Sequence, residues 1–150
     1  MRSVDQSGPL ESLYKLRSDE CDQIEQVFTS YHLKEREAES LWRRSLQIKK
    51  EEQEKAENAQ RSGDEASIQE FSVWLPYGQK EIEETYKRYQ KAKGECEVAH
   101  QELIQAQAAL QAVEKLREQH KVADVRASLL KEQMILDEIA LRHFIRRSYF

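Results

Sequence analysis

One turn signal divides this sequence into two long stretches. Ser62, Gly63 and Asp64 stand together, and residues of these types favour turns over helix interiors. The chain has only four glycines and two prolines, so few other sharp turns are possible. Strong helix formers, namely Glu, Lys, Gln, Arg, Ala and Leu, dominate the remainder. The sequence therefore predicts an all-α fold, a long antiparallel two-helix coiled-coil hairpin that forms one domain over residues 10–150.

The first helix is predicted from Leu10 to Arg61, after a flexible N-terminal lead over residues 1–9. Its apolar residues recur three and four apart, which is the spacing of a coiled-coil seam. Polar residues interrupt this seam, at Arg17 and Ser45 among others. The predicted seam comprises Leu10, Leu13, Ile24, Val27, Tyr31, Ala38, Leu41 and Ile48, with Cys21, Phe28 and Trp42 widening it on one side.

Residues 62–78 are predicted to form the tip of the hairpin. Ser67 and Glu70 match a capping box, in which each side chain bonds a free backbone N–H of the other residue. Pro76 lacks a backbone N–H, and its ring clashes with the preceding turn of a helix. A helix is predicted to restart at Ser67 and to meet Pro76, so we expect a kinked tip, or a short break, near residues 75–78 and a second long helix over residues 79–148.

The apolar stripe of the second helix is longer than that of the first. Two successive steps of three residues, from Leu110 to Val113 to Leu116, predict a local overwinding. In an antiparallel register the last 20 or so residues extend about 30 Å past any partner in this chain. Their apolar side chains indicate a site for another protein, self-association or a frayed tail. The stripe comprises Ile82, Tyr89, Ala92, Cys96, Ala99, Leu103, Ala106, Leu110, Val113, Leu116, His120, Ala123, Ala127, Leu130, Met134, Leu141 and Phe144.

Charge and hydropathy argue against a nucleic-acid binder and against a membrane-spanning or secreted protein. Charged residues make up 35% of the chain, but the net charge is only −4, whereas nucleic-acid binders usually carry a basic excess. No apolar run is long enough to cross a membrane, and residues 1–9 lack the apolar core of a signal peptide. We expect a cytoplasmic protein with no nucleic-acid partner.

Nothing in the sequence predicts catalysis or metal binding. A two-helix hairpin offers no pocket where reactive groups can converge, and no phosphate-binding glycine loop, HExxH or GxSxG is present. We therefore predict no enzyme activity, no catalytic, cofactor-binding or metal site, and no small-molecule substrate. The cysteines are expected to be reduced and far apart, and the histidines to be scattered: Cys21, Cys96, His32, His100, His120 and His143.

Two clusters stand out from the helical background. Phe71, Trp74 and Tyr77 lie in the predicted tip, where they either close the end of the helix pair or form a docking surface. Basic residues at the C-terminal end, Arg142 and Arg146 among them, suit contact with acidic loops but are equally normal in water.

Three segments resemble the FliJ family of flagellar export proteins and, more distantly, the YscO-type proteins of virulence secretion systems. These segments are LESLYKLR, which begins at Leu10, FSVWLPYGQKEIE, which begins at Phe71, and EKLREQ followed by LLKEQMILDEIALR, which ends at Arg142. The resemblance spans about residues 10 to 144, and LDEIALR with the aromatic tip is its more specific part.

The resemblance implies an antiparallel coiled coil similar to the two long helices of the rotary ATPase γ subunit. It implies a monomeric stalk at the cytoplasmic face of the inner membrane. The paired termini would enter the central hole of the hexameric export ATPase. The tip would contact the cytoplasmic domain of the export gate membrane protein, and the chain would escort export chaperones. LDEIALR favours a flagellar system over a virulence one.

The resemblance also implies which residues contact each partner. Glu81 and Glu84 stand where family members have apolar and His residues, which leaves those two positions in question. A prefoldin-like chaperone and a structural coiled-coil scaffold are the alternatives to a stalk. The implied gate-side residues are Phe71, Trp74, Tyr77, Glu81 and Glu84, and the implied ATPase-side residues are Leu10, Leu13, Leu136, Leu141, Arg142 and Phe144.

Overall fold

The structure, a computed structural model, describes residues 8–149, with side chains through residue 148. This part of the chain is all-α, with α1 over Pro9–Ser62 and α2 over Glu65–Tyr149. The two helices pack against each other as a hairpin, so the predicted fold class is confirmed. The flexible lead predicted for residues 1–9 lies almost wholly outside the described residues.

The hairpin divides into two compact units. The tip unit is Cys21–Ala106, and the terminal unit joins the residues up to Glu20 with those from Gln107 onward. No disulfide bond links Cys21 to Cys96.

A single tight turn joins the helices within the tip unit. Gly63 has a φ of 76°, the left-handed region that favours glycine, and the Asp64 N–H donates to the Ala59 carbonyl at 2.9 Å. Asp64 then caps α2, because its carboxylate accepts from the Ser67 N–H at 3.3 Å and from the Ser67 hydroxyl at 2.7 Å. The predicted turn is confirmed, but Asp64 is the cap in place of the predicted capping box at Ser67.

The break predicted near Pro76 is wrong, because α2 begins at Glu65, close to the predicted restart at Ser67, and continues through Pro76. Pro76 is exposed, so water can hydrogen-bond the carbonyl that loses its N–H partner. Phe71 and Trp74 before it are half-buried, and Gly78 after it is buried. Packing on both sides of the proline therefore keeps the segment helical.

The seam of α1 in the tip unit matches the prediction at Ile24, Tyr31 and Ala38, which are half-buried, and lies one residue away from it elsewhere. Cys21 is buried and Phe28 and Trp42 are half-buried, so the residues expected at the flank form the seam. Aromatic rings explain the shift, because they bury more apolar area than the alternatives. Three residues expected in the seam are exposed instead, by 47% for Val27, 51% for Leu41 and 38% for Ile48.

Ring and side-chain contacts fix an antiparallel register in the tip unit. Phe28 meets His100 with ring centroids 5.3 Å apart, and Trp42 meets Tyr86 at 5.2 Å. Lys49 Nζ donates to Gln79 Oε1 at 2.9 Å. The two residue numbers of each pair add to the same value, so the helices keep one register along this stretch without a slip.

A buried polar pair crosses the seam of the tip unit. The hydroxyls of Ser45 and Thr85 lie 3.0 Å apart, and both residues are buried. Each hydroxyl also lies close to a carbonyl of its own helix, Ser45 to Trp42 at 2.6 Å and Thr85 to Glu81 at 2.8 Å. Because a slip would leave these hydroxyls facing apolar groups, the pair favours one register.

The terminal unit holds its two helices together through Arg117. Its Nε donates to Glu11 Oε1 at 2.8 Å, and its guanidinium carbon lies 3.9 Å from the centre of the Tyr14 ring. Val113 is buried, whereas Leu116 is 45% exposed. The seam thus steps four residues from Val113 to Arg117, and the predicted overwinding at Leu116 is wrong.

Candidate partner-binding site

The C-terminal stretch of α2 has no buried residue. Every residue from Glu118 to Ser148 is exposed. Large apolar side chains within it are exposed by between 43% for Val122 and 70% for Met134. We call this set the C-terminal apolar surface: Val122, Val125, Leu129, Leu130, Met134, Ile135, Leu136, Ile139, Leu141, Phe144 and Ile145.

One of the two rows of α2 residues that face α1 becomes polar in this stretch. Arg117, which bonds Glu11 of α1, lies directly before this stretch. Steps of seven residues keep the same face of a helix and lead from it to Asp124, Lys131 and Glu138. These charged side chains alternate with Ala127, Met134 and Leu141, which continue the other row of the seam, so this face is only partly polar.

The apolar side chains point in other directions around the helix. Val122, Leu129 and Leu136 each precede a residue of the polar row by two positions, about 200° around the axis at 3.6 residues per turn. Leu130 and Leu141 lie on a further side. Charged residues such as Arg126, Glu132 and Asp137 lie between these apolar side chains. Exposed apolar side chains on several sides of one helix indicate a binding surface for another molecule.

The predicted ATPase-side residues fall into two groups. Leu136 and Leu141 are each 59% exposed and Phe144 is 68% exposed, whereas Leu10 and Leu13 are half-buried in the terminal unit. Leu136 lies about 30 Å along α2 from Arg117, which contacts the first turns of α1. The structure therefore does not gather the predicted set into one patch.

Basic charge follows the apolar residues at the end of α2. The Arg142 guanidinium bonds Glu138 at 2.9 Å on the surface. No acidic residue follows Glu138 in the sequence, whereas Arg146 and Arg147 do. The last turns of α2 thus present a positive surface beside apolar side chains.

The tip aromatics separate into packing and exposed residues. The rings of Phe71 and Trp74 lie 6.1 Å apart, and both are half-buried. A Cβ atom on Gly78 would overlap the Trp74 ring, so that glycine makes room for the indole. Tyr77 is 73% exposed, and Glu81 and Glu84 are exposed as well. The alternative in which aromatics close the hairpin end fits Phe71 and Trp74, and a docking role fits Tyr77.

A shallow groove lies beside these aromatics on the outer face of α2. The groove is lined by exposed Val73 and Tyr77, the edge of Trp74 and the turn before them. Its other lining residues are Ala66, Gln69 and Glu70. An apolar floor with polar sides suits an apolar side chain of a partner protein.

Three potential metal ligands meet elsewhere in the tip unit. One ligand atom each from His32, Glu35 and Cys96 lies within 4.8 Å of the others. His32 is the histidine of this group. Burial and hydrogen bonding to the Glu35 carboxylate raise the pKa of the Cys96 thiol to about 11. The register that pairs Phe28 with His100 also puts Cys96 opposite His32, and this register comes from the structure.

Within residues 8–149, neither helix contains a stretch apolar enough to span a bilayer.

The chain matches the protein family described as Flagellar FliJ protein over residues 6–148, which includes nearly all of both helices. No curated protein and no solved structure matches it. That family has a structural role connected with flagellar protein export and is not known for enzyme activity. With a match that covers almost its full length, the chain belongs to the FliJ family of flagellar proteins.

Proposed function

We propose that this chain is a non-enzymatic central stalk of the flagellar export apparatus, which couples the hexameric export ATPase to the export gate. The observation that carries the proposal is the C-terminal apolar surface, which no residue of α1 covers. A ring whose central hole surrounds α2 would remove these side chains from water, and each fully buried Leu or Phe would contribute about 1.5–3 kcal/mol. Family membership supports the flagellar setting of this binding event.

The ATPase-side contacts in this proposal are centred on Leu136, Leu141 and Phe144, with Arg142 beside them. These side chains are exposed and lie beyond the last contact with α1. Leu10 and Leu13 are half-buried, so they would contribute mainly by holding α1 in place at the base of the stalk. The positive charge that follows Glu138 suits acidic loops at the opening of a ring.

The gate-side contacts in this proposal are centred on Tyr77, with Glu81 and Glu84 one and two turns further along α2. Phe71 and Trp74 would position this surface from within the tip. A monomeric chain that touches a membrane-embedded gate would sit as a peripheral protein at the cytoplasmic face of the inner membrane. Assistance to export chaperones would use surfaces of the same exposed helices.

Binding to the export ATPase of the same organism tests the ring contact. The double variant Leu136→Asp with Leu141→Asp places two carboxylates on the C-terminal apolar surface. Ser128→Asp is the matched control, since it adds a carboxylate to an exposed residue of the same stretch outside that surface. We expect the double variant to bind the ATPase about tenfold more weakly or worse, and the control to bind like wild type. Equal binding of all three proteins would sink the proposal.

Binding to the purified cytoplasmic domain of the gate tests the tip. Tyr77→Ala removes an exposed aromatic ring, and Val98→Ala shortens another exposed side chain of the tip unit that lies outside the tip. We expect Tyr77→Ala to weaken gate binding by about tenfold and Val98→Ala to leave it unchanged. If both variants bind normally, Tyr77 is not a gate contact.

Light scattering separates the stalk from the two alternatives. A stalk is a monomer in solution, whereas a structural scaffold is a stable dimer. A prefoldin-like chaperone would capture unfolded clients at the helix ends without any ATPase. We expect the mass of one chain and no client capture in the absence of the export machinery.

A further inference from the structure

We propose that His32, Glu35 and Cys96 form a transition-metal site, of the kind that takes Zn²⁺, which ties α1 to α2 in the tip unit. The proposal is independent of the stalk function. It stands on the convergence of three ligand atoms of different chemistry, all within 4.8 Å of one another.

The ligands come from both helices. His32 and Glu35 are three residues apart on α1, and side chains at that spacing share a face of the helix. Cys96 faces them from α2, so a bound ion would cross-link the helices. Tetrahedral geometry with bonds of about 2.0–2.3 Å puts ligand atoms about 3.3–3.8 Å apart. The observed spacing needs a contraction of about 1 Å, which the exposed His32 side chain can supply by a small rotation.

The donor set selects the class of metal. A thiolate, an imidazole nitrogen and a carboxylate suit Zn²⁺ and Co²⁺, whereas Mg²⁺ and Ca²⁺ prefer oxygen ligands alone. With Cys96 and Glu35 each carrying one negative charge, a divalent ion gives a neutral site. Water would complete the fourth position on the side of exposed His32.

Binding includes a proton release. Without metal, the buried thiol of Cys96 is protonated and bonds the Glu35 carboxylate. When the sulfur bonds the metal, the S–H bond breaks and its proton passes to solvent, while the Glu35 oxygen exchanges the thiol proton for the metal.

Cobalt titration of the reduced full-length chain tests the site, because Co²⁺ bound to a thiolate absorbs strongly in the near ultraviolet. We expect one Co²⁺ per chain with this band, displaced by Zn²⁺. His32→Ala should weaken binding by about 100-fold, and Cys96→Ser should abolish the band. Zn²⁺ should also raise the melting temperature of wild type but not of His32→Ala.

Two variants serve as matched controls. Cys21→Ser removes the other buried cysteine, and His100→Ala removes the histidine that contacts Phe28 from α2. Both should keep the cobalt band and the affinity. His32 is exposed, so His32→Ala keeps the fold even if Cys96→Ser does not. Absence of the thiolate band in wild type, or unchanged affinity in His32→Ala, overturns the proposal.

Discussion

The tip unit and the C-terminal stretch of α2 are made from the same types of helix-forming residue, but of these two regions only the tip unit buries side chains between the helices. In the tip unit even hydroxyl groups are buried, as at Ser45 and Thr85, and find partners across the seam. In the C-terminal stretch even large side chains such as Met134 and Phe144 are exposed. Stability therefore depends on the paired residues, and the unpaired ones are available for binding.

Equivalent truncations in the two regions give the largest expected contrast. Leu103 is 8% exposed in the seam, and Leu130 is 64% exposed in the C-terminal stretch. Leu103→Ala should lower the free energy of unfolding by about 2–4 kcal/mol, because it leaves a cavity between the helices. Leu130→Ala should change it by less than about 0.5 kcal/mol. Urea unfolding followed by circular dichroism measures both, and equal losses would erase the comparison.

A pair of glycine substitutions sharpens the same contrast inside the tip unit. Gly78→Ala should destabilise the chain by about 1–2 kcal/mol, because the new Cβ overlaps the Trp74 ring. Gly94→Ala meets open space and should stabilise the helix by about 0.5–1 kcal/mol. Thermal melts of the two variants should therefore shift in opposite directions from wild type. A shared direction would mean that Trp74 moves aside at little cost.

The buried hydroxyl pair should give a smaller effect. Ser45→Ala or Thr85→Val alone should cost about 1 kcal/mol, since each leaves one hydroxyl without its partner across the seam. The double variant should be close to wild type, because both polar groups are gone. A double-mutant cycle by urea unfolding measures this coupling, and strictly additive losses would contradict it.

The smallest expected effect concerns the cap at the turn. Hydrogen bonds from the Ser67 side chain and backbone lower the pKa of Asp64. A carboxyl whose folded pKa is depressed adds stability above its unfolded pKa, and this stability is lost as pH falls through the folded value. The melting temperature of wild type should thus fall slightly more than that of Asp64→Asn when the solution is acidified below the ordinary range of an aspartate. Parallel curves would show that the cap does not depend on charge.

The sequence predicted the two helices and their turn, because Gly63 and the composition leave few other arrangements. It misplaced part of the α1 seam, because a pattern of apolar residues does not say whether Val27 or Phe28 buries more area. Pro76 was misread for a related reason, since the packing of Trp74 on Gly78 cannot be read from one helix. Convergence of His32 with Cys96 depends on the register, which only paired contacts establish.

The sequence predicted the exposure of some candidate partner-binding residues better than that of others. Exposed Leu136, Leu141 and Phe144 follow from chain length alone, because α2 has more residues than α1 can cover. The separation of Tyr77 from Phe71 and Trp74 does not, since it depends on which side of α2 faces α1.

The charged row through Asp124, Lys131 and Glu138 occupies one side of the last turns of α2. Apolar side chains lie on the other sides, with charged residues between them, so a partner that contacts one side would leave apolar side chains of the other sides in water. Only a partner that surrounds the helix, or several partners together, could remove all of these apolar side chains from water. The end of α2 therefore suits a partner that surrounds the helix, and not one that binds a single face.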